Sequence, residues 1–200
     1  MLQKMKEILN RNHFICEVFE TPEAAKAAAL SLIGTRSVGI GGSKTVKQLG
    51  LDTALIEQGN EVHWHWLSDK ALKHETQMQA FHSEVYLCST NAVTENGTLV
   101  NIDGTGNRVA SLLFGPPTVI VIIGKNKLCG SLEDAVSRIK REACPENARR
   151  QGLKTPCAAT GECHDCDTSA RMCNATVLLE RPLRIHRDFH VFLVDAALGL

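Results

Sequence analysis

The sequence has few aromatic residues and no surplus of charge of either sign. Aromatic side chains make up 4% of the chain, and 22 Lys and Arg residues balance 22 Asp and Glu residues. A chain without excess positive charge has no long-range attraction to nucleic acid or to anionic lipid, and scarce aromatics leave few platforms for base stacking. We therefore expect no nucleic-acid partner.

Long apolar runs are also missing. The most apolar stretch, residues 119–123, is far too short to cross a bilayer, and the charged N-terminus has no apolar segment behind it. We therefore expect a cytoplasmic protein with no membrane span and no signal peptide. The 200 residues, of which 44% are hydrophobic and 22% charged, match one globular domain over residues 1–200.

Short β-branched runs alternate with helical stretches along the chain. Strands separated by helices predict an α/β fold with a mostly parallel sheet and helices on both faces. Residues 91–101 are the exception, because an Asn-Gly turn between two short apolar runs predicts a hairpin. Residues 154–174 show no regular pattern and predict an irregular, cysteine-bearing loop. The predicted strands of the main sheet are residues 14–19, 37–40, 61–66, 84–88, 118–123 and 189–194.

Half of the eight cysteines are concentrated in the loop at 154–174. Cys157, Cys163, Cys166 and Cys173 lie within seventeen residues and include one Cys-x-x-Cys element. In a reducing compartment such crowding indicates a metal rather than disulfides. A single Cys-x-x-Cys element with unevenly spaced cysteines on either side favours an iron–sulfur cluster such as [4Fe–4S]. The alternatives are a zinc ion and a pair of redox-active thiols without a metal.

The remaining four cysteines, at positions 16, 88, 129 and 144, are expected in the core, because they lie on predicted strands and helices. Cys144 precedes Pro145, a pair also found in ferredoxins, but a dipeptide is weak evidence for a ligand.

A glycine-rich turn over residues 38–45 joins a predicted strand to a predicted helix. Its glycines would let the backbone approach an anion, and hydroxyl groups could add hydrogen bonds. The turn matches neither a Walker A loop nor Gly-x-Gly-x-x-Gly, and the alternative is a tight turn with a helix cap. The candidate ligand-binding residues here are Gly39, Gly41, Gly42, Ser43 and Thr45.

Polar residues and glycines over 91–108 form a second candidate ligand site. Arg108 could hold a carboxylate or phosphate, and Asp103 or Glu95 could act as a base, which makes these three the candidate catalytic residues. The alternative is a network of turns in which Asn and Asp side chains bond their own backbone. The other candidate ligand-binding residues are Asn91, Thr94, Gly104, Gly106 and Asn107. The His63-Trp64-His65-Trp66 stretch is expected on a half-exposed strand face rather than at a metal.

Taken in order, these motifs resemble the LUD-domain (lactate utilisation) family. The resemblance lies in the glycine-rich turn, in the runs 91–101 and 103–108, and in the strand that follows them. The tail from Thr155 to Cys173 is similar to the cysteine-rich C-terminal motif of stand-alone LUD proteins. The resemblance implies a fold like that of ribose-5-phosphate isomerase and the CoA-transferases. It also implies a link to the oxidation of lactate to pyruvate beside iron–sulfur partners.

The preferred hypothesis is a LUD-domain protein that supports the use of lactate or a related 2-hydroxy acid. Its cysteines would hold an iron–sulfur cluster that relays electrons to an iron–sulfur or dehydrogenase partner, and its turns would bind a small anionic metabolite. One alternative is a group-transfer or isomerase-type enzyme for a phosphosugar or CoA ligand, with structural zinc. Another is a redox or assembly partner without catalysis, so whether the chain is itself an enzyme is left open. It lacks the tandem ferredoxin motifs of the larger iron–sulfur lactate proteins.

Overall fold

The computed structural model describes residues 1–185 and 188–200, and its main element is a six-stranded parallel sheet. Its strands are β1 (Ile15–Phe19), β2 (Val38–Ile40), β3 (Val62–Trp64), β4 (Val85–Cys88), β7 (Thr118–Gly124) and β9 (Asp188–Val194). The order across this sheet is β1-β9-β7-β4-β2-β3, and every neighbouring pair is parallel. The predicted α/β class is therefore confirmed.

Helices cover both faces of this sheet, as predicted. They are α1 (Leu2–Arg11), α2 (Pro22–Ile33), α3 (Lys44–Gln48), α4 (Leu51–Glu57), α5 (Lys73–His82), α6 (Asn107–Phe114), α7 (Leu132–Arg138), α8 (Cys144–Arg150) and α9 (Pro156–Thr160). Successive side chains of a strand point to opposite faces, and β7 divides its residues accordingly. Val119, Val121 and Ile123 join the core under α1, α5 and α6. Ile120 and Ile122 join the core under α2, α3 and α4.

A second, antiparallel sheet packs beside the first. It consists of β5 (Ala92–Val93), β6 (Leu99–Asp103) and β8 (Ala175–Leu179), with β6 in the centre. The predicted hairpin between β5 and β6 is confirmed, and Gly97 has the positive φ of 85° that its turn requires. Strand β8 was not predicted. A third apolar cluster joins this sheet to α7, to the π-helical turn Ile139–Ala143 and to the start of α8.

The cysteine-bearing segment is irregular except for α9, which begins at Pro156. It connects α8 to β8, and hydrogen bonds tie its C-terminal end to the end of β6. Asn174 donates its backbone N–H to Asp103 O at 3.0 Å and its side-chain amide to Gly104 O at 3.2 Å. The segment therefore lies beside the residues that follow β6.

Three neighbouring parallel strands, β2, β4 and β7, end at the same edge of the main sheet. Ligands of open α/β sheets bind beyond the carboxyl ends of the strands, and here the loops at residues 41–43, 89–91 and 125–127 meet at that edge. Within residues 1–185 and 188–200, no helix combines the length and the apolar character needed to cross a bilayer.

Candidate functional site

A cavity of about 550 Å³ opens at this edge of the sheet. Its walls come from the loops after β2, β4, β6 and β7, from α8, and from residues 169–172 of the cysteine-bearing segment. One cavity is therefore bordered by three motifs that lie apart in the sequence. They are the glycine-rich turn, the 91–108 run and the cysteine-bearing segment.

Positive charge dominates the walls of the cavity. Asp103 is the only Asp or Glu side chain among its described lining residues, and it lies 3.4 Å from Arg108 Nε. Lys44 and Arg171 have carboxylate partners outside the cavity. Within the described part of the chain, the other three cations have no carboxylate within 4.0 Å; they are Lys73, Lys127 and Arg150. Lys127 is buried, whereas Lys73 and Arg150 are exposed. A buried cation without an anionic partner is costly, so the Lys127 side of the cavity favours an anion.

The glycine-rich turn contributes Gly42, Ser43 and Thr45 to the cavity. Ser43 Oγ also accepts the N–H of Val46 at 3.2 Å, so the predicted helix cap is present as well. Gly39 and Gly41 do not line the cavity. A Cβ on Gly39 would lie 2.1 Å from Ala80 O, and one on Gly41 would lie 2.8 Å from the Tyr86 hydroxyl, so both glycines allow close packing.

Arg108 is a buried residue of the cavity wall, and it orders the polar run over residues 91–108. Its Nη1 donates to Ser89 O at 3.1 Å and to Asn101 Oδ1 at 2.6 Å. Its Nη2 donates to Asn91 Oδ1 at 2.8 Å and to Ile102 O at 3.0 Å. The terminal nitrogens are thus hydrogen-bonded to protein acceptors, and Arg108 contributes to the cavity through its charge and by fixing these turns.

The carboxylate of Asp103 is also engaged by the protein. Its Oδ1 accepts the N–H of Gly106 at 2.8 Å, while its Oδ2 faces Arg108. Asp103, Gly104 and Asn107 line the cavity, whereas Gly106 caps α6 with a positive φ of 90° and does not line it. The predicted network of turns is therefore present at the edge of the cavity.

The structure does not bring Thr94 and Glu95 to the cavity. Both belong to the hairpin that precedes β6, whereas Asp103 ends that strand, so the strand's length separates them from the site. Thr94 Oγ1 hydrogen-bonds Asn96 Oδ1 and accepts the N–H of Thr98, and Glu95 is exposed. Thr94 and Glu95 therefore lie outside this cavity, because the chain reverses at the Asn96–Gly97 turn.

Lys127 is a functional candidate that the sequence did not single out. It is only 3% exposed, and its Nζ donates to Ser89 Oγ at 2.8 Å and to Thr45 Oγ1 and Thr90 O at 3.1 Å each. Burial, with repulsion from Arg138 and Arg108, lowers its pKa to about 7. Its position in the sequence could have indicated this role, because Lys127 follows the most apolar strand closely and so falls at the edge of the sheet where ligands bind.

His65 and Trp66 also line the cavity. Strand β3 ends at Trp64, whose indole donates to Gly41 O at 3.0 Å, and the next two residues turn into the cavity. The expected half-exposed strand therefore ends before them. Arg150 stacks 4.2 Å from the centroid of the Trp66 ring. Burial first, then Lys73 and Arg150, lower the pKa of His65 to about 4, so it is neutral near pH 7.

All eight cysteines lie in the described part of the chain, and none forms a disulfide. Cys16 and Cys88 are core residues as predicted, and burial raises the pKa of each thiol to about 12. Cys129 is partly buried. Cys144 differs, because it is buried against the third apolar cluster and also lines the cavity.

Cys144 hydrogen-bonds Cys173, which raises the pKa of the Cys144 thiol and lowers that of Cys173. Cys157 and Cys163 also act electrostatically on Cys144. Arg171 holds the loop around these thiols through Asp165 Oδ1 at 2.9 Å, Cys166 O at 2.8 Å and Cys173 O at 3.2 Å. Of these cysteines only Cys144 lines the cavity, and the others belong to the segment that borders it.

No three His, Cys, Asp or Glu side chains of residues 1–185 and 188–200 lie close enough together to hold one metal ion. A tetrahedral zinc site does not fit this arrangement, since zinc draws its four ligands around a single atom. An iron–sulfur cluster has a different requirement, because each thiolate binds a different iron and the sulfurs lie farther apart. The cysteine-bearing segment holds four free thiols, which is the donor type that such a cluster requires; they are Cys157, Cys163, Cys166 and Cys173.

The LUD domain family model matches residues 2–194, and the chain belongs to this family. Membership supports a role associated with lactate utilisation, and it agrees with the resemblance carried by the motifs.

The fold is similar to that in the crystal structure of a DUF162 family protein from Deinococcus radiodurans, with a TM-score of 0.55. The match covers 98% of this chain and 96% of that one at 10% sequence identity, so it concerns the fold alone. No curated protein matches the chain in a sequence search.

Proposed function

We propose that this protein binds a small 2-hydroxy or 2-oxo carboxylate in the cavity and serves lactate oxidation as an iron–sulfur electron-transfer component. The observation that carries the binding proposal is the set of three cavity cations without a carboxylate partner, Lys73, Lys127 and Arg150. A bound carboxylate would offset the charge of the buried Lys127 and pair with the exposed Lys73 or Arg150.

The residues at the edge of the sheet would position such an acid. The hydroxyl group of Ser43 and the amide of Asn107 line the same cavity as the cations and offer hydrogen bonds to a hydroxyl or keto oxygen. Lys127 would face the carboxylate from the buried side, and Arg150 from the side of Trp66. The acid would thus be held between two cations.

The cluster donors would be thiols of the cysteine-bearing segment, for which the spacing nominates Cys157, Cys163, Cys166 and Cys173. When bound, an iron–sulfur cluster would supply one-electron transfer between the site of oxidation and a redox partner. Oxidation of lactate to pyruvate releases two electrons and two protons. We therefore assign the two-electron acceptor to a dehydrogenase partner, and assign binding of the acid to this chain.

Two measurements test the proposal. Protein purified and reconstituted anaerobically should contain iron and acid-labile sulfide and be brown; colourless protein without iron would contradict the electron-transfer role. Calorimetry should detect binding of lactate or pyruvate. Arg150→Gln should weaken that binding about tenfold, the effect of one hydrogen bond to a charged group.

Arg149→Gln is the matched control for that substitution. It removes the same charge from the same helix, but Arg149 points to Ala158 O at 2.8 Å and does not line the cavity. Equal losses in the two variants would indicate a general effect of charge and would contradict a specific anion site.

A second candidate function follows from the size of the cavity. A volume of about 550 Å³ exceeds what a small hydroxy acid fills, and the Trp66 ring could support a larger ligand. This favours a phosphosugar or CoA ligand and a group-transfer or isomerase reaction. A rise in melting temperature with CoA or a phosphosugar, and none with lactate or pyruvate, would support this candidate.

A further inference from the structure

Arg150 lies on a stack of two aromatic rings at the cavity. Its Cζ is 4.2 Å from the centroid of the Trp66 ring, and that ring stacks on Trp64 with centroids 4.8 Å apart and 26° between the ring planes. Trp64 is 1% exposed, belongs to the apolar core under α2, α3 and α4, and donates its indole N–H to Gly41 O at 3.0 Å. The stack therefore extends from the core of the main sheet to an arginine at the end of α8.

Asn147 fixes the same guanidinium along one edge. Its Oδ1 accepts hydrogen bonds from Arg150 Nη2 at 2.7 Å and from Arg150 Nε at 3.1 Å. Arginine has five N–H donors in a planar fork, so three remain, on Nη1 and Nη2. Within residues 1–185 and 188–200, no further acceptor is bonded to Arg150. The remaining donors include the parallel pair that can hold a carboxylate through two hydrogen bonds.

These contacts matter because Arg150 is otherwise exposed. A free arginine on a protein surface samples many rotamers, and ordering it when a ligand binds costs free energy. Here the Trp66 ring and the Asn147 amide order the guanidinium before any ligand arrives. A carboxylate that binds Arg150 therefore loses less affinity to the ordering of this side chain.

We infer that Trp66 is a positioning residue of the anion site, whose ring holds the Arg150 guanidinium so that its free pair of N–H groups receives the carboxylate of the ligand. This inference rests on the proposed function and deepens it, since it explains how an exposed arginine becomes part of a specific site. Trp66 acts through Arg150 and needs no contact with the ligand. The arrangement depends on the planar fork of arginine, so the ammonium group of a lysine would not replace it.

A double-mutant cycle on the full chain tests this role, with calorimetric titration of lactate and of pyruvate as the measurement. Trp66→Leu should weaken binding about two- to fivefold, which is the effect of an exposed cation–π contact. Trp66→Phe, which keeps a ring face, should retain most of the affinity. In the Arg150→Gln background, Trp66→Leu should have no further effect. Arg150→Lys should bind nearly as weakly as Arg150→Gln, because it keeps the charge but loses the fork.

Phe81→Leu is the matched control, since it removes a half-buried ring that does not line the cavity. Circular dichroism establishes whether each variant folds, and Trp66→Met replaces Trp66→Leu if that variant does not.

Equal losses from Trp66→Leu in the wild-type and Arg150→Gln backgrounds would mean that the ring acts by packing alone, and would overturn the positioning role. Wild-type affinity in Trp66→Leu or in Arg150→Lys would overturn it as well. Each of these outcomes leaves binding of the acid by the wild-type protein, and so the proposed function, intact. Wild-type protein that binds neither lactate nor pyruvate would instead refute the proposed binding function, and the positioning role with it.

Discussion

Replacing Lys127 with methionine should weaken anion binding in the cavity and remove most of its dependence on pH. The ammonium group is buried, and its three hydrogen bonds go to neutral oxygens. Burial, Arg138 and Arg108 lower its pKa from 10.5 to about 7. In the free protein, this lysine therefore changes its charge near neutral pH.

The direction of the pH effect follows from linkage. A bound anion stabilises the ammonium form, so the pKa of Lys127 rises on binding and the complex takes up a proton above pH 7. If only the charged form binds, the dissociation constant is nearly flat below pH 7 and rises about tenfold per pH unit above it, or about 1.4 kcal/mol. Between pH 6 and pH 8 the expected loss of affinity is therefore about tenfold.

Calorimetric titration with lactate at pH 6, 7 and 8 measures this effect. Repeating the titration in two buffers that differ in ionisation enthalpy counts the protons taken up. His65 does not interfere, because its pKa of about 4 keeps it neutral over this range. Lys125→Met is the control for lost charge, since Lys125 lies two positions away but pairs with Asp195 at 2.9 Å and does not line the cavity.

The outcome that would refute this reasoning is well defined. Lys125→Met should reproduce the wild-type profile, while Lys127→Met should bind weakly at pH 6 and show little further loss at pH 8. A flat wild-type profile, or a tenfold dependence that persists in Lys127→Met at wild-type affinity, would mean that this lysine does not control the site.

Three substitutions test the scaffold, each by urea unfolding. Gly39→Ala should destabilise the protein by about 3 kcal/mol or more, because its Cβ would lie 2.1 Å from Ala80 O. A variant as stable as wild type would contradict this close packing. Arg108→Met should cost about 3–5 kcal/mol, because four acceptors lose a hydrogen bond from Arg108 and the buried Asp103 loses its ion-pair partner; a cost below about 1 kcal/mol would mean that water replaces the guanidinium freely. Ser131→Ala should cost about 1 kcal/mol by breaking its capping box with Asp134, and no loss would show that the cap is unimportant.

The main sheet could be predicted because its signals are local. The run 118–123 is apolar on both sides of the strand, as a central strand covered on both faces must be. In the structure it is β7, extended by Gly124 and buried throughout. Strand β8 gave no such signal, because only one side chain of Ala175–Leu179 is buried and its pairing with β6 is a long-range contact.

The site was only partly predictable, since burial of a charged or reactive side chain depends on residues far away in the chain. Lys127 lies in the polar sequence Lys125-Asn126-Lys127, which is typical of an exposed loop, yet it bonds Thr45, 82 positions earlier. The sequence around Cys144 is typical of a core helix residue, and the structure does place Cys144 in the third apolar cluster. The thiol of Cys173 meets it only because the segment between them folds back.

The placement of the cysteine-bearing segment follows from its two ends. Its N-terminal end continues from α8, and its C-terminal end leads into β8, whose Ala175 pairs with Asp103 at the cavity. A connection between these two elements must pass the cavity wall, whatever the conformation of its middle. The same constraint explains why residues 169–172 line the cavity although they have no regular structure. The cysteine-bearing segment and the ligand cavity therefore share a wall, because both ends of the segment are fixed beside the carboxyl end of β6 and the start of the cavity-lining helix α8.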